Sequence, residues 1–172
     1  MSTTLTEIAR QLDAIDIKYH LGANRIRLSF RTDLYEDADR DNSLGLTIWL
    51  EDDGETLRIQ ALNAYKLPKE QFAERLTAVQ QTLNQLNWET KLAHYEMDTE
   101  DGEIRIVIDY VLEDGVPTDN QLKRLIYVLP HLADRDHAAW RAALDHGTTL
   151  LTRDELCRRF DDWMIARDKS LQ

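Results

Sequence analysis

Residues 43–86 constrain the fold most, because two alternating segments and a helix with one apolar face follow one another there. In the first segment every second residue is apolar, which is typical of a half-buried strand; these residues are Leu44, Leu46, Ile48 and Leu50. Asp52-Asp53-Gly54 predicts a tight hairpin turn, since glycine, and aspartate to a lesser degree, tolerates a positive φ. A return strand and, beyond Pro68, an amphipathic helix complete the unit.

A related unit occupies residues 92–132. Its first strand is predicted to direct Ala93, Tyr95 and Met97 inward, and a hairpin turn at residues 99–102 leads to a second alternating strand. Thr118 and Gln121 form a capping box, which predicts the start of a helix. Pro130 lacks the backbone N–H that a helix needs, so this helix is predicted to kink or stop near residue 128 or 129.

Upstream, residues 5–15 have the spacing of a short amphipathic helix, and residues 25–31 alternate like a strand. Residues 17–21 fit the end of that helix, a connector or a short strand. Together the patterns predict an α+β domain over residues 1–132, with helices on one face of a five-stranded antiparallel sheet. Residues 133–172 are predicted to be a helical C-terminal extension packed on or flanking the domain. The extension includes a capping box at residues 152–155 and Cys157, which is predicted to be buried.

The charge and cysteine content limit the classes of partner and site. A formal net charge of −11 over 172 residues disfavours nucleic acid or an anionic membrane as the main partner. The single cysteine excludes an intrachain disulfide and a Cys-rich metal site. The sequence shows no signal peptide and no apolar run of membrane-spanning length. We therefore expect a cytoplasmic protein.

No catalytic constellation is apparent, and no cofactor is predicted. Histidine and aspartate side chains at His131, Asp134 and His137 have near-helical spacing, but the patterns of known zinc sites are missing. An acidic loop at residues 33–41 lacks the central glycine and distal glutamate of a calcium loop. We expect a protein that is not an enzyme. A metal-binding protein or an enzyme that uses these histidines or this loop is the alternative.

The outward side of the predicted sheet carries an unusual set of cations around one tryptophan. Its members are Arg25, Arg27, Arg31, Trp49, Arg58 and Arg105. One interpretation is that the arginines pair across strands with acids such as Glu51, Glu55 and Asp109. The other is that they form a protein-binding surface or part of a dimer interface. A third possibility is a nucleic-acid contact, which the negative charge disfavours.

Three turn motifs carry a family resemblance. Residues 51–57 (EDDGETL), 98–104 (DTEDGEI) and 111–118 (VLEDGVPT) are similar to turns of the YbjN family of bacterial proteins. The resemblance covers about residues 5–132. It implies the α-β-β-β-α-β-β-α order of type III secretion chaperones, which are small, acidic and often dimeric proteins that hold another polypeptide. It also implies a regulator of sensory transduction without catalytic residues. We therefore expect a homodimer with a regulatory or chaperone-like role.

Overall fold

One antiparallel sheet organises the molecule, a computed structural model that describes residues 3–149. Its helices are α1 (Leu5–Ala14), α2 (Phe72–Glu89) and α3 (Asp119–His146). Its strands are β1 (His20–Leu21), β2 (Ile26–Arg31), β3 (Ser43–Glu51), β4 (Thr56–Lys66), β5 (His94–Met97) and β6 (Glu103–Val111). The strand order is β1-β2-β3-β4-β6-β5. The predicted α+β class is confirmed. The count of five strands is too low within residues 3–149, because the undecided segment supplies β1.

The inner face of the sheet is a set of apolar rows that run across the strands. Ile48 lies opposite Ile59, and Ile59 lies opposite Ile108 in the next strand. In a neighbouring row, Ile106 lies between Ala61 and Tyr95. All these side chains are buried in one core with α1, α2 and α3. Each large apolar side chain that is buried in this way contributes about 1.5–3 kcal/mol to stability.

The turn between β3 and β4 has the geometry that its sequence predicts. Asp52 and Asp53 have φ values of 50° and 54°, and Gly54 has φ 93°. The side chain of Asp52 also accepts a hydrogen bond from the Thr56 hydroxyl at 3.0 Å, which stabilises the turn. The prediction of a hairpin with positive φ is therefore confirmed.

Helix α3 continues through Pro130, so of the predicted kink or stop near residue 128 or 129 the stop is wrong. Proline costs a helix interior about 3 kcal/mol, because it removes one hydrogen bond and crowds the preceding turn. Leu129, Leu132 and Ala133 are buried around it, and this burial on both sides of the proline outweighs the local cost. The predicted domain boundary after residue 132 falls inside this helix. The predicted capping box at residues 152–155 and Cys157 lie outside the described residues.

Aromatic hydroxyl groups tie the second half of α3 to the sheet. The Tyr65 hydroxyl donates to the Ala133 carbonyl at 3.2 Å, and the Tyr95 hydroxyl donates to the Asp136 carboxylate at 2.8 Å. Asp136 is fully buried and accepts two further hydrogen bonds from the Arg135 guanidinium. The indole of Trp140 packs between the Tyr65 and Tyr95 rings, at centroid distances of 5.3 and 5.1 Å. The Tyr65 and Tyr95 hydroxyl groups and the Asp136 carboxylate are satisfied within this aromatic cluster and fix the position of the helix, whereas the Trp140 indole N–H has no hydrogen-bond partner within residues 3–149.

Gly102, in the β5–β6 turn, provides a test of the fold. Its φ is +80°, and an added Cβ would overlap the carbonyl oxygen of Leu67. Leu67 follows β4, and its backbone N–H donates a hydrogen bond to the Gly102 carbonyl. We expect Gly102→Ala to lower the free energy of unfolding by at least about 2 kcal/mol, measured by urea denaturation.

Gly45 is the matched control, because its Cβ would meet no atom within 4 Å and its φ is not positive. Gly45→Ala should leave stability unchanged or raise it by up to about 1 kcal/mol. Equal effects of the two substitutions would contradict the described turn.

Candidate partner-binding surface

The candidate surface is the side of the sheet that points away from the helices, which we call the open face. Within residues 3–149 the three helices pack on the opposite side. Its residues alternate with the buried apolar rows, and they are Arg27, Ser29, Arg31, Gly45, Thr47, Trp49, Arg58, Gln60, Arg105, Val107, Asp109 and Val111. Gln60 and Val107 lie opposite each other in the middle of this face and are buried. Five of the six predicted site residues therefore share this face. Arg25 lies in the turn before β2, where its Nε donates to Asn24 Oδ1 at 3.3 Å.

Arg58 is the centre of an ion-pair network on the open face. Its guanidinium lies 3.7 Å from the Glu51 carboxylate, 3.6 Å from Glu96 and 3.3 Å from Asp109. Its Cζ atom is 5.9 Å from the centroid of the Trp49 ring, and the Trp49 indole N–H donates to Glu51 at 2.8 Å. The interpretation of cross-strand pairing is thus confirmed for Arg58 with Glu51 and Asp109. The predicted partner Glu55 makes no ion pair within the described residues.

Glu96 extends this network to the strand at the end of the sheet. It accepts a hydrogen bond from Arg105 Nε at 2.7 Å, and its other oxygen lies 3.0 Å from His94 Nε2. Partial burial acts to raise the pKa of Glu96, but the hydrogen bonds with His94 and Arg105 outweigh it, so the pKa lies below its ordinary value. Glu96 is therefore ionised at neutral pH, and it forms an ion pair with Arg105.

Arg27 and Arg31 differ from the other arginines of the open face. Both are exposed, and neither has an acidic side chain within ion-pair distance in the part of the chain that the structure describes. They lie opposite Thr47 and Ser43, on either side of Ser29. Ser29 lies opposite Gly45, where an added Cβ would meet no atom. At this end of the open face, two arginines without an ion-pair partner among the described residues therefore flank a surface with free space above Gly45.

Asp134 and the acidic loop, which belong to the alternative metal or enzyme site, make structural contacts with each other. The Asp134 carboxylate accepts hydrogen bonds from the backbone N–H groups of Asp33, Leu34 and Tyr35, the last two at 2.8 Å. It therefore attaches the acidic loop to α3. In the loop itself, the Asp37 carboxylate accepts from two backbone N–H groups, each at 2.9 Å. No three His, Cys, Asp or Glu side chains within residues 3–149 are grouped so that they could hold a metal ion.

His137 lies in the aromatic cluster and not in a metal site. Its ring packs against Tyr35 and Tyr65, and its buried Nδ1 has no hydrogen-bond partner within residues 3–149. Burial lowers the pKa of His137, and the positive charge of Arg141 adds to this effect. Nearby carboxylates oppose the shift without reversing it.

Sequence patterns missed one feature, a cleft of about 460 Å³. The acidic loop, the end of β4, the start of α2 and the last turns of α3 all line it. Because these four segments are far apart in sequence, no local spacing indicates the cleft. Its charged residues include Glu36, Arg75 and Arg141.

The comparisons with known proteins agree with this architecture. The model of the YbjN family, described as "Putative bacterial sensory transduction regulator", matches residues 4–141. The chain is also similar to a solved structure described as "Crystal structure of YbjN, a putative transcription regulator from E. coli". That similarity has a TM-score of 0.55 and 13% sequence identity, and it covers 79% of this chain and 93% of that chain. At this identity it shows the fold alone. No curated protein matches the sequence.

His137 makes the stability of the protein depend on pH. The unfolded chain takes up a proton near the ordinary histidine pKa of about 6.5, whereas the folded chain does so at a lower pH. The contribution of His137 to stability is therefore fully present above about pH 6.5 and is lost as the pH falls below it, by at most about 1.4 kcal/mol per pH unit. In urea denaturation between pH 7 and 5, His137→Phe should show a smaller loss than the unmodified protein. His20→Gln, at an exposed position of β1, is the control and should retain the full loss.

Proposed function

The chain belongs to the YbjN family, and from this membership we propose that it is a regulatory protein that acts by binding another polypeptide. The association of the family with bacterial sensory transduction supports a regulatory role in broad terms. The open face supports the mode of action, because one side of the sheet carries no helix within residues 3–149. The β2–β3 end of this face is exposed at Arg27, Ser29, Arg31 and Gly45, so a protein partner can reach it there.

Arg27 and Arg31 indicate the chemistry of the partner. They are exposed cations without an acidic neighbour in a protein whose net charge is −11. A local positive patch of this kind attracts an acidic segment, while the rest of the protein repels acidic surfaces that lack complementary contacts. We therefore propose that the partner presents acidic side chains to Arg27 and Arg31.

The Arg58 network has a different role in this proposal. Its arginine is already surrounded by three carboxylates, so it gains little from a further acidic group. The network holds Trp49 in a fixed orientation beside the patch, and aromatic side chains often contribute much of the energy of protein interfaces. Arg58 and Arg105 thus support the surface, and Arg27, Arg31 and Trp49 bind.

A binding role accounts for the described residues better than catalysis does. Of the side chains that could have formed a reactive site, Asp134 holds the acidic loop and His137 packs in the aromatic cluster. No helix within residues 3–149 is long and apolar enough to cross a membrane. We propose a non-enzymatic protein that works in the cytoplasm, with a chaperone-like hold on its partner as one form of the regulatory role.

The first test replaces the two available cations. Arg27→Ser combined with Arg31→Ser should reduce capture of the partner from a lysate of the native host by at least about tenfold, read by quantitative mass spectrometry. Lys123→Ser combined with Arg124→Ser is the matched control, because it changes the net charge equally at exposed positions of α3. Equal capture by the two double variants would contradict the assignment.

A steric variant tests the same surface without changing its charge. Gly45→Tyr places a large side chain where the structure has open space, so the fold should tolerate it while the partner cannot approach. We expect partner capture to fall by at least about tenfold. Thr77→Tyr, at an exposed position of α2, should leave capture unchanged. Unchanged capture by Gly45→Tyr would place the binding surface elsewhere.

We further propose that the protein is a homodimer. Light scattering coupled to size exclusion should give about twice the chain mass of 20.1 kDa. A mass of one chain at high protein concentration would contradict the dimer, and it would leave the proposed binding of a different partner intact.

A further inference from the structure

The cleft between the acidic loop and the ends of α2 and α3 has the dimensions of a ligand site. Its volume of about 460 Å³ lies within the usual range of small-molecule pockets, about 300–1,000 Å³. It is formed by the helices, the acidic loop and the end of β4, not by the open face, so its role is independent of the function proposed above.

Arg75 provides a positioned positive charge on one wall of the cleft. Its guanidinium Nη1 donates to Gln71 Oε1 at 2.8 Å and to the carbonyl oxygen of Leu144. Both acceptors are uncharged, and no carboxylate within residues 3–149 lies within ion-pair distance of Arg75. The Nε and Nη2 donors have no hydrogen-bond partner within the same residues. A part-buried guanidinium held at one end, with its remaining donors unused, is suited to bind a carboxylate.

The other cations of the cleft are already neutralised. Arg141 forms an ion pair with Asp145 at 2.7 Å, and Lys66 forms one with Asp101 at 3.1 Å. Arg75 is therefore the cation in the cleft lining for which the described residues provide no counter-charge.

A carboxylate on the loop wall gives the cleft its second recognition element. Glu36 lines the cleft, is exposed, and makes no ion pair or hydrogen bond within residues 3–149. Asn63 lines it as well, at the irregularity of β4 between Ala61 and Tyr65, and has φ 50°. Its backbone N–H is bonded to Glu103, and its side-chain amide has no partner within the described residues. Irregularities of this kind in a strand often lie next to binding sites.

We propose that this cleft binds a small zwitterion with the chemistry of a free α-amino acid. The carboxylate of the ligand pairs with the unused donors of Arg75, and its ammonium group pairs with Glu36. A simple anion would leave Glu36 as a repulsive neighbour, and a simple cation would leave Arg75 without a counter-charge. A zwitterion satisfies both groups, and Asn63 supplies a further hydrogen bond. Because the acidic loop and α3 both line the cleft, the bound ligand would fix the loop against the helix.

The test is a titration of the isotope-labelled full chain with each of the twenty amino acids, followed by amide chemical shifts. At least one should bind with a Kd of about 1 mM or tighter and shift the amides of Glu36, Asn63 and Arg75. For that amino acid, the N-acetyl derivative lacks the ammonium group and the carboxamide lacks the carboxylate. Each derivative should bind at least about tenfold more weakly. No shift at the cleft up to about 10 mM, or equal binding by either derivative, would overturn the proposal.

Two variants and one control complete the test. Arg75→Met and Glu36→Gln should each weaken binding of that amino acid by at least about tenfold. Glu36 is exposed and makes no hydrogen bond within residues 3–149, so its substitution tests the site even if Arg75→Met does not fold. Arg124→Met, on the exposed side of α3, should not change the Kd. Unchanged binding by Glu36→Gln would overturn the zwitterion assignment. The Arg27→Ser/Arg31→Ser variant should bind the ligand normally, which separates this proposal from the open-face function.

Discussion

The structure depends above all on the attachment of α3 to the inner face of the sheet. The first half of this helix contributes Leu122, Leu125, Ile126 and Leu129 to the core, as ordinary apolar burial. The second half is attached by hydrogen bonds from tyrosine hydroxyls to Ala133 and Asp136 and by the packing of Trp140. Buried hydrogen bonds of this kind form only in one geometry, so they fix the position of the helix on the sheet. The helix in turn positions the acidic loop, which is bonded to Asp134, and the cleft, which the last turns of the helix line.

The strands could be predicted from the sequence because the relevant signal is local. In a strand that is covered on one side, apolar residues alternate with polar ones, and β3 follows this rule around Ile48, whereas in β4 and β6 the outward-facing Gln60 and Val107 are buried as well. The same alternation placed Trp49, Arg58 and Arg105 on a common outward face. The ion pair between Arg58 and Asp109 joins direct cross-strand neighbours, whereas Arg58 and Glu96 lie on strands that β6 separates.

What could not be predicted depends on contacts between distant segments. Pro130 carries the ordinary signal of a helix end, and only the burial of Leu129 and Ala133 against other elements shows why the helix continues. Asp134 is spaced like a metal ligand along the chain, but it accepts hydrogen bonds from residues about a hundred positions away. The cleft around Arg75 could not be predicted either, because the segments that line it are far apart in sequence. Short spacing patterns carry no information about partners that folding alone brings together.

The order and lengths of the strands bear on how other proteins can approach. The outermost strands are β1, with two residues, and β5, with four. A sheet margin presents a row of unpaired backbone N–H and C=O groups, and long margins recruit foreign strands into aggregates. Strands β1 and β5 offer few such groups, but they pair with only two residues of β2 and four of β6, so residues 28–31 and 108–111 also lie at the margin of the described sheet. The margin is therefore divided into stretches of no more than four residues, which disfavours the addition of a long foreign strand.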